Sequence, residues 1–284
     1  MKIFITGGSS YLGRHVVPFF HSRGHEVCHT WFSTPPSIDF PGQAIQVDMR
    51  DNEQLTEAII GFQPNAIIHL AASNRSPTED EMVDSIISGA MAVTDIAKSL
   101  SCRLIHMSTD VVFDGSQSLY NEETPVAPPH AYGRAKVEAE RLVGNYSNSV
   151  IIRPSLIYSL RIKDRGIEWV EAALNEGKEV TLFTDQMRMP VWTETLAAAC
   201  LELIDHSHCG LIHIVGNQRL SRAEFGQKML DWWGIYNRET LRYAPTPPNV
   251  PWPQDLTMDT ELANRILTTP LLGVDEVISK SIRG

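Results

Sequence analysis

The chain has 284 residues, 43% of them hydrophobic and 20% charged, with a formal net charge of -10. That length holds one large domain, or a main domain with a smaller lobe. The acidic balance excludes non-specific nucleic-acid binding, which needs a basic surface, and no stretch approaches the ~20 apolar residues of a membrane helix.

Strand and helix signals alternate from the start. KIFIT (2–6) is a short apolar run, and residues 11–23 place Leu12, Val16, Phe19 and Phe20 at helical spacing. HEVCHTWF (25–32) and AIQVD (44–48) read as strands, and 52–62 as a helix. NAIIHLAA (65–72) is a fully apolar strand, followed by a long helix over 81–100. RLIHMST (103–109) is a further strand, 131–146 a helix, and SVIIRP (149–154) a strand closed by proline. Runs that are apolar on both faces and alternate with helices predict a parallel sheet covered on both sides. The expected fold is therefore α/β, a doubly wound parallel sheet of the NAD(P)-binding Rossmann type over residues 1–155.

Beyond residue 155 the pattern loosens. Residues 161–166 look like a charged loop, 167–176 a helix and EVTLF (179–183) a strand. Residues 193–205 and 221–233 are helical, the second opened by Ser221 with Glu224 three residues on. APTPPNVPWPQD (244–255) is too rich in proline for regular structure and reads as a lid or an extended edge. Residues 156–284 are expected to add sheet strands and a small C-terminal substrate-binding lobe.

Four stretches carry chemistry. ITGGSSYLG (5–13) sets Gly7 and Gly13 between the first strand and first helix, where a turn lets backbone approach a pyrophosphate at a helix N-terminus. Ser10, with Tyr11 and Leu12 beside it, stands where the usual spacing has its middle glycine. After the second strand, HTWFST (29–34) has no acid for a ribose. His29, Ser33 and Thr34 are candidates for a 2′-phosphate, which favours NADP(H) over NAD(H), and Asp48 is a candidate for the adenine amino group. HMSTD (106–110) ends a strand in hydroxyls, and YGRAK (132–136) puts Tyr132 and Lys136 on one helix face. Reduction of a ketone needs an acid at the nascent alkoxide, and a lysine near a phenol favours the phenolate. Thr109, with Ser108 second, is the hydroxyl placed to hold the carbonyl.

These stretches, with HLAA and IIRPSLIY, resemble the extended short-chain dehydrogenase/reductase superfamily. STDVVFDG followed by YGRAK is most similar to the dTDP-4-dehydrorhamnose reductase group, as are DQMRMPVWTETLA (185–197) and GLIHIVGNQRLSRAEF (210–225). The resemblance implies Tyr132 as proton donor, Lys136 as its electrostatic partner and ribose anchor, and Thr109 as substrate-orienting hydroxyl. It implies Ala71 and Ala72 along the cofactor, Pro154 and Ser155 near the nicotinamide, and Arg188 facing the substrate. Trp192 and Trp252, in loop-like surroundings, are further candidates to touch a ligand.

The implied activity is NAD(P)H-dependent reduction of a keto group on a nucleotide-linked sugar, in a cytoplasmic protein able to form a homodimer. A cofactor-retaining epimerase or dehydratase shares the motifs. So does the regulatory subunit of methionine adenosyltransferase, which binds NADP and a partner protein. Departures from the group fall on the substrate side: SNRSPTEDE (73–81) after HLAA, Leu156 in place of a frequent Trp, and Gly89 in place of a helix Asn. No particular sugar is therefore expected. Cys28, Cys102, Cys200 and Cys209 lack zinc or redox spacing, and no histidine pair has metal-binding helical spacing, so no metal is expected.

Overall fold

The computed structural model describes residues 1–72, 78–248, 250 and 252–282. In the first half β1 (Lys2–Thr6), α1 (Gly13–His21), β2 (Glu26–Trp31), β3 (Gln43–Gln46), α2 (Asn52–Phe62), β4 (Ala66–His69), α3 (Glu79–Leu100), β5 (Arg103–Met107), α4 (Ala131–Gly144) and β6 (Ser149–Arg153) follow one another. The second half holds β7 (Ile157–Tyr158), α5 (Arg165–Asn175), β8 (Val180–Phe183), β9 (Met187–Arg188), β10 (Val191–Trp192) and α6 (Thr193–Asp205). It ends with β11 (Gly210–His213), β12 (Leu220–Ser221), α7 (Arg222–Trp232), β13 (Leu241–Ala244), α8 (Glu261–Ile266) and α9 (Val274–Ile282).

Seven strands form one sheet in the order β3-β2-β1-β4-β5-β6-β11, every pair parallel. The order reverses beside β1, so β1 and β4 flank the crevice where a doubly wound sheet takes its ligand. The apolar runs now have their cause. On β5, Leu104 joins the cluster under α2, α3 and α4, and Ile105 joins the opposite one under α1 and α6. Both faces are covered, so neither register position is free to be polar.

The second half contributes to this sheet as well as to the lobe. β11 pairs with β6, and Leu196, Ala197 and Cys200 of α6 pack in one cluster with Val16 and Phe20 of α1. The lobe has its own core, with Val170, Val180, Phe225, Met229, Leu241 and Val277 from α5, β8, α7, β13 and α9. At the start of α7 the expected capping box is present, Ser221 and Glu224 bonding each other's backbone N–H. Of the proline-rich stretch, residues 249 and 251 lie outside the described residues, and Thr246, Pro253 and Gln254 are tied to the segment around β9. The Asp185 carboxylate accepts from Thr246 N at 2.9 Å, while Arg188 donates to the carbonyls of Pro253 (2.9 Å) and Gln254 (3.3 Å). Among the described residues no helix is long and apolar enough to cross a membrane, and no group of three or more His, Cys, Asp or Glu could hold a metal ion.

Candidate active site

The turn after β1 is built by close approach. Gly7 has φ +72°, and a Cβ there would meet the Ala71 backbone at 3.0 Å. At Gly13 a Cβ would fall 2.3 Å from the Gly7 carbonyl oxygen, so only glycine lets α1 start this near β1. Ser10 Oγ accepts from Gly13 N at 3.1 Å and braces the turn. Gly7, Ser10, Asp48, Ala71 and Ala72 line a cleft of about 290 Å³, with Phe32, Val47 and Met49 as apolar wall. A glycine cradle at the carboxyl ends of β1 and β4, opening into a half-apolar cleft, fits a dinucleotide.

Other expected cofactor residues are placed differently. Leu12 is buried in the core with α1, and Tyr11 donates its hydroxyl to the Ile162 carbonyl at 3.2 Å, so neither side chain lines this cleft. Pro154 is buried after β6 and does not line it either. His29 is buried behind Gly8, edge-on to Phe40 at 5.2 Å, and burial lowers its pKa. His29 does not line the cleft that Ser33 and Thr34 line. HTWFST itself holds no arginine or lysine, but the fold supplies a cation from elsewhere. Arg50, from the loop after β3, lines the same cleft as Ser33 and Thr34. Arg50 also grips the Asp48 carboxylate, Nη2 to Oδ2 at 2.7 Å and Nε to Oδ1 at 3.0 Å, and holds its pKa below the usual range.

The second part of the site gathers at the end of β5. Lys136, buried in α4, donates to the Met107 carbonyl at 2.9 Å. Tyr132 is one turn earlier on that helix. α4 can come this close because of Gly133, where a Cβ would lie 2.4 Å from the Val111 carbonyl oxygen. Thr109 caps a 3-10 turn over Asp110–Val112, accepting from Val111 N at 3.3 Å. Asp110, to which the sequence gives no definite role, is buried between them. Its carboxylate accepts from Ser155 Oγ at 2.7 Å and from Thr109 Oγ1 at 3.4 Å, with Arg188 Nε at 4.0 Å. Burial raises its pKa, against Arg188 and the two hydroxyls.

The phenol and the ammonium are shifted in ways that correct the expectation. Burial, then the Asp110 charge, pushes Tyr132 up to about 12. Burial pulls Lys136 down to about 8, opposed by Glu140. In the protein alone the lysine donates to the Met107 carbonyl, and burial of the phenol prevails. Beneath it lie His69 and His106, ring centroids 5.1 Å apart, both held neutral by burial. His69 Nδ1 meets Thr6 Oγ1 at 2.7 Å, and that hydroxyl accepts from Ala71 N at 3.2 Å. Gly89, in α3, packs on Met49, whose Cε would stand 3.3 Å from a Cβ there.

Several substrate candidates serve the scaffold instead. Ser108 donates to Glu140, which is in a buried ion pair with Arg153 (Nη2 to Oε2 2.6 Å), so its hydroxyl faces away from Thr109's surroundings. Ser155 is spent on Asp110, and it accepts from Met189 N at 3.3 Å. Arg188 is buried, its guanidinium on the Met187, Pro253 and Gln254 carbonyls. Trp192 and Leu156 pack against the lobe core, whereas Trp252 stays half-exposed against His130, ring centroids 4.8 Å apart. Of SNRSPTEDE, residues 73–77 lie outside the described residues.

A seven-stranded, doubly wound sheet with a glycine turn and this hydroxyl, phenol and lysine arrangement belongs to the oxidoreductases of the extended short-chain dehydrogenase/reductase type. Within that class the family model described as the RmlD substrate binding domain matches residues 1–282, and the chain belongs to this family. It is 30% identical over 243 residues to the probable low-salt glycan biosynthesis reductase Agl14 of Haloferax volcanii, covering 81% of this chain and 80% of that one. It is 25% identical over 248 residues to methionine adenosyltransferase 2 subunit beta of Rattus norvegicus, covering 82% and 72%. Among solved structures, a hypothetical dTDP-4-dehydrorhamnose reductase from Sulfolobus tokodaii superposes with TM-score 0.81 at 27% identity, covering 97% and 98%. The Bacillus anthracis dTDP-4-dehydrorhamnose reductase, solved in complex with NADP, shares the fold at TM-score 0.78 and 20% identity, covering 95% and 93%.

Proposed function

We propose that the protein reduces a keto group on a nucleotide-linked sugar, with Tyr132 as proton donor, Lys136 as its charged neighbour and Thr109 as the hydroxyl that orients the carbonyl. The observation that carries this reading is the convergence of Thr109, Asp110 and Lys136 on the end of β5, with Tyr132 one helical turn away and within reach of the Asp110 charge.

Gly7, Ser10, Ala71 and Ala72 would hold a nicotinamide dinucleotide, which when bound supplies the hydride. Arg50 beside Ser33 and Thr34 favours a 2′-phosphate, hence NADPH, once it exchanges part of its hold on Asp48. A phenol at about 12 is fully protonated at neutral pH. It is still far more acidic than the alcohol formed, so proton transfer to the nascent alkoxide runs downhill. Lys136, charged below about 8, then stabilises the phenolate left behind. Thr109 keeps its hydroxyl at the loop edge by bonds to Val111 N and Asp110, free to turn toward a carbonyl.

The test is a panel of nucleotide-linked keto-sugars with NADH and NADPH, following the absorbance of the reduced nicotinamide. Tyr132→Phe is expected to lower kcat by ~10²–10⁴-fold with dinucleotide affinity unchanged. A variant retaining most of the activity refutes Tyr132 as donor. Turnover of the sugar without net consumption of reduced nicotinamide points instead to an epimerase. Tight dinucleotide binding with no turnover and a co-purifying protein points to a regulatory subunit.

A further inference from the structure

The cleft over the glycine turn takes part of its wall from the lobe. Arg165, in the first turn of α5, lines it together with Gly7, Ser9 and Ser10. Arg165 directly follows Asp164, the N-cap of α5, whose carboxylate accepts from Gly166 N at 2.7 Å and from Ile167 N at 3.2 Å.

The loop that leads into this cap is held on the glycine turn. Tyr11, next to Ser10, donates its hydroxyl to the Ile162 carbonyl at 3.2 Å. Arg161 pairs with Glu194 of α6 at 3.2 Å, and α6 shares a core cluster with α1. Burial, then the Asp164 charge, raises the Tyr11 pKa, in keeping with a cap that stands close to the turn. Residues 161–165 are therefore anchored from both sides, and Arg165 is exposed where they end, at the wall of the cleft.

Among the described residues, the cations in the lining of this cleft are Arg50 and Arg165. They come from opposite sides. Arg50 follows β3 and stands with Ser33 and Thr34, which follow the neighbouring strand β2. Arg165 comes from the lobe and stands with the glycine turn. A phosphorylated nicotinamide dinucleotide likewise carries two anionic groups, its diphosphate and its 2′-phosphate. On a chain of net charge -10 an anionic ligand relies on placed cations. The glycine turn and the start of α1 offer the diphosphate backbone N–H groups on one side only.

We propose that Arg165 grips the diphosphate of the dinucleotide from the lobe side, opposite the glycine turn, while Arg50 serves the 2′-phosphate end. This rests on the dinucleotide reading of the cleft above and not on the choice of sugar. A guanidinium presents a planar fork of donors that matches phosphate oxygens. Because Arg165 belongs to α5, the bound dinucleotide would bridge the lobe and the sheet.

The experiment compares wild type, Arg165→Ala, Arg165→Lys and Arg50→Ala, each checked for native circular dichroism. Calorimetry measures the affinity of each for NADPH, NADH, ADP-ribose and adenosine 2′-monophosphate. Arg165→Ala should bind NADPH, NADH and ADP-ribose at least ~10-fold more weakly, with adenosine 2′-monophosphate unmoved. Arg165→Lys should recover part of that loss. Arg50→Ala should show the reverse pattern, losing the preference for NADPH over NADH and keeping its affinity for ADP-ribose. Unchanged binding of NADH and ADP-ribose by Arg165→Ala overturns the proposal. So does a loss confined to NADPH, which moves Arg165 to the 2′-phosphate, and so does an equal loss for all four ligands, which makes it a support of the cleft. In each of these cases wild type still binds dinucleotide, and only the role of Arg165 is wrong. A wild type that binds neither NADPH nor NADH refutes the dinucleotide reading itself.

Discussion

Replacing Lys136 by methionine separates what the lysine does to the fold from what it does for the reaction. The residue is 2% exposed, and burial lowers its pKa from 10.5 to about 8. Below pH 8 the group is charged in the folded and unfolded chain alike, so the fold carries the whole cost of burying that charge. At about 1.4 kcal/mol for each pH unit separating the folded and unfolded values, the cost is roughly 3 kcal/mol. Between pH 8 and 10.5 the folded chain releases its proton first, and the cost declines as pH rises, to about 1 kcal/mol at pH 10. Methionine is similar in length and carries no such cost, but it forfeits the bond to the Met107 carbonyl, about 1–2 kcal/mol. Lys136→Met is therefore expected to be more stable than wild type by about 1–2 kcal/mol at pH 7 and no more stable at pH 10. Urea unfolding at the two pH values, followed by the fluorescence of the six tryptophans, measures the gap. Reductase activity should be lost at both. A gap that does not change with pH would refute the depressed pKa. A variant about 2 kcal/mol less stable than wild type at pH 7 would refute the view that the charge is held at the fold's expense.

The buried histidines set a pH dependence of their own. Burial keeps His15 at about 4, His69 and His213 at about 3, and His106 well below its usual value. Each is neutral in the fold and takes up a proton on unfolding, so stability is present above ~6.5 and falls as pH drops toward the folded values, by about 1.4 kcal/mol per pH unit per histidine. Asp110 and Asp164, raised by burial, work the other way and soften the loss. The melting temperature should drop steeply between pH 6.5 and 5, and a flat profile there contradicts the neutral cluster. Gly13→Ala forces a Cβ to 2.3 Å from the Gly7 carbonyl oxygen. It is expected to lower dinucleotide affinity at least ~10-fold through displacement of the turn, and to destabilise the fold by about 1–3 kcal/mol. Unchanged titration of NADPH against this variant would mean that the turn is not the phosphate cradle.

The sheet was legible because its signal is local. Runs such as NAIIHLAA are apolar on both faces, and helices come between them. β11 and α6 were harder, since their place in the main sheet depends on pairing with β6 and packing with α1 across long sequence separations. The two-residue strands β7, β9, β10 and β12 are too short to show any period. At the site, glycine spacing and YGRAK name backbone and helix-face geometry, which sequence records. Side-chain commitments are not recorded there. Nothing in STD tells that Ser108 turns down to Glu140 while Thr109 stays at the edge, or that Arg50 comes round to meet Ser33 and Thr34. The glycine of YGRAK was the one overlooked signal, since Gly133 is what lets α4 press on Val111.

Asp110 ties these levels together. A buried carboxylate costs stability unless it is paired, and this one gathers Ser155 from the loop after β6, Thr109 from its own turn and Arg188 from the lobe. It therefore fixes the lobe against the end of β5. The same charge raises Tyr132. For an oxidation the phenol would have to start as phenolate, and a nearby acid would oppose that. For a reduction it must start with its proton, and the acid keeps the proton in place until an alkoxide forms beside it. The lobe-fixing contact and, together with burial, the proton held on the Tyr132 phenol are thus two effects of one buried charge, and the second is what the proposed role of Tyr132 as proton donor requires.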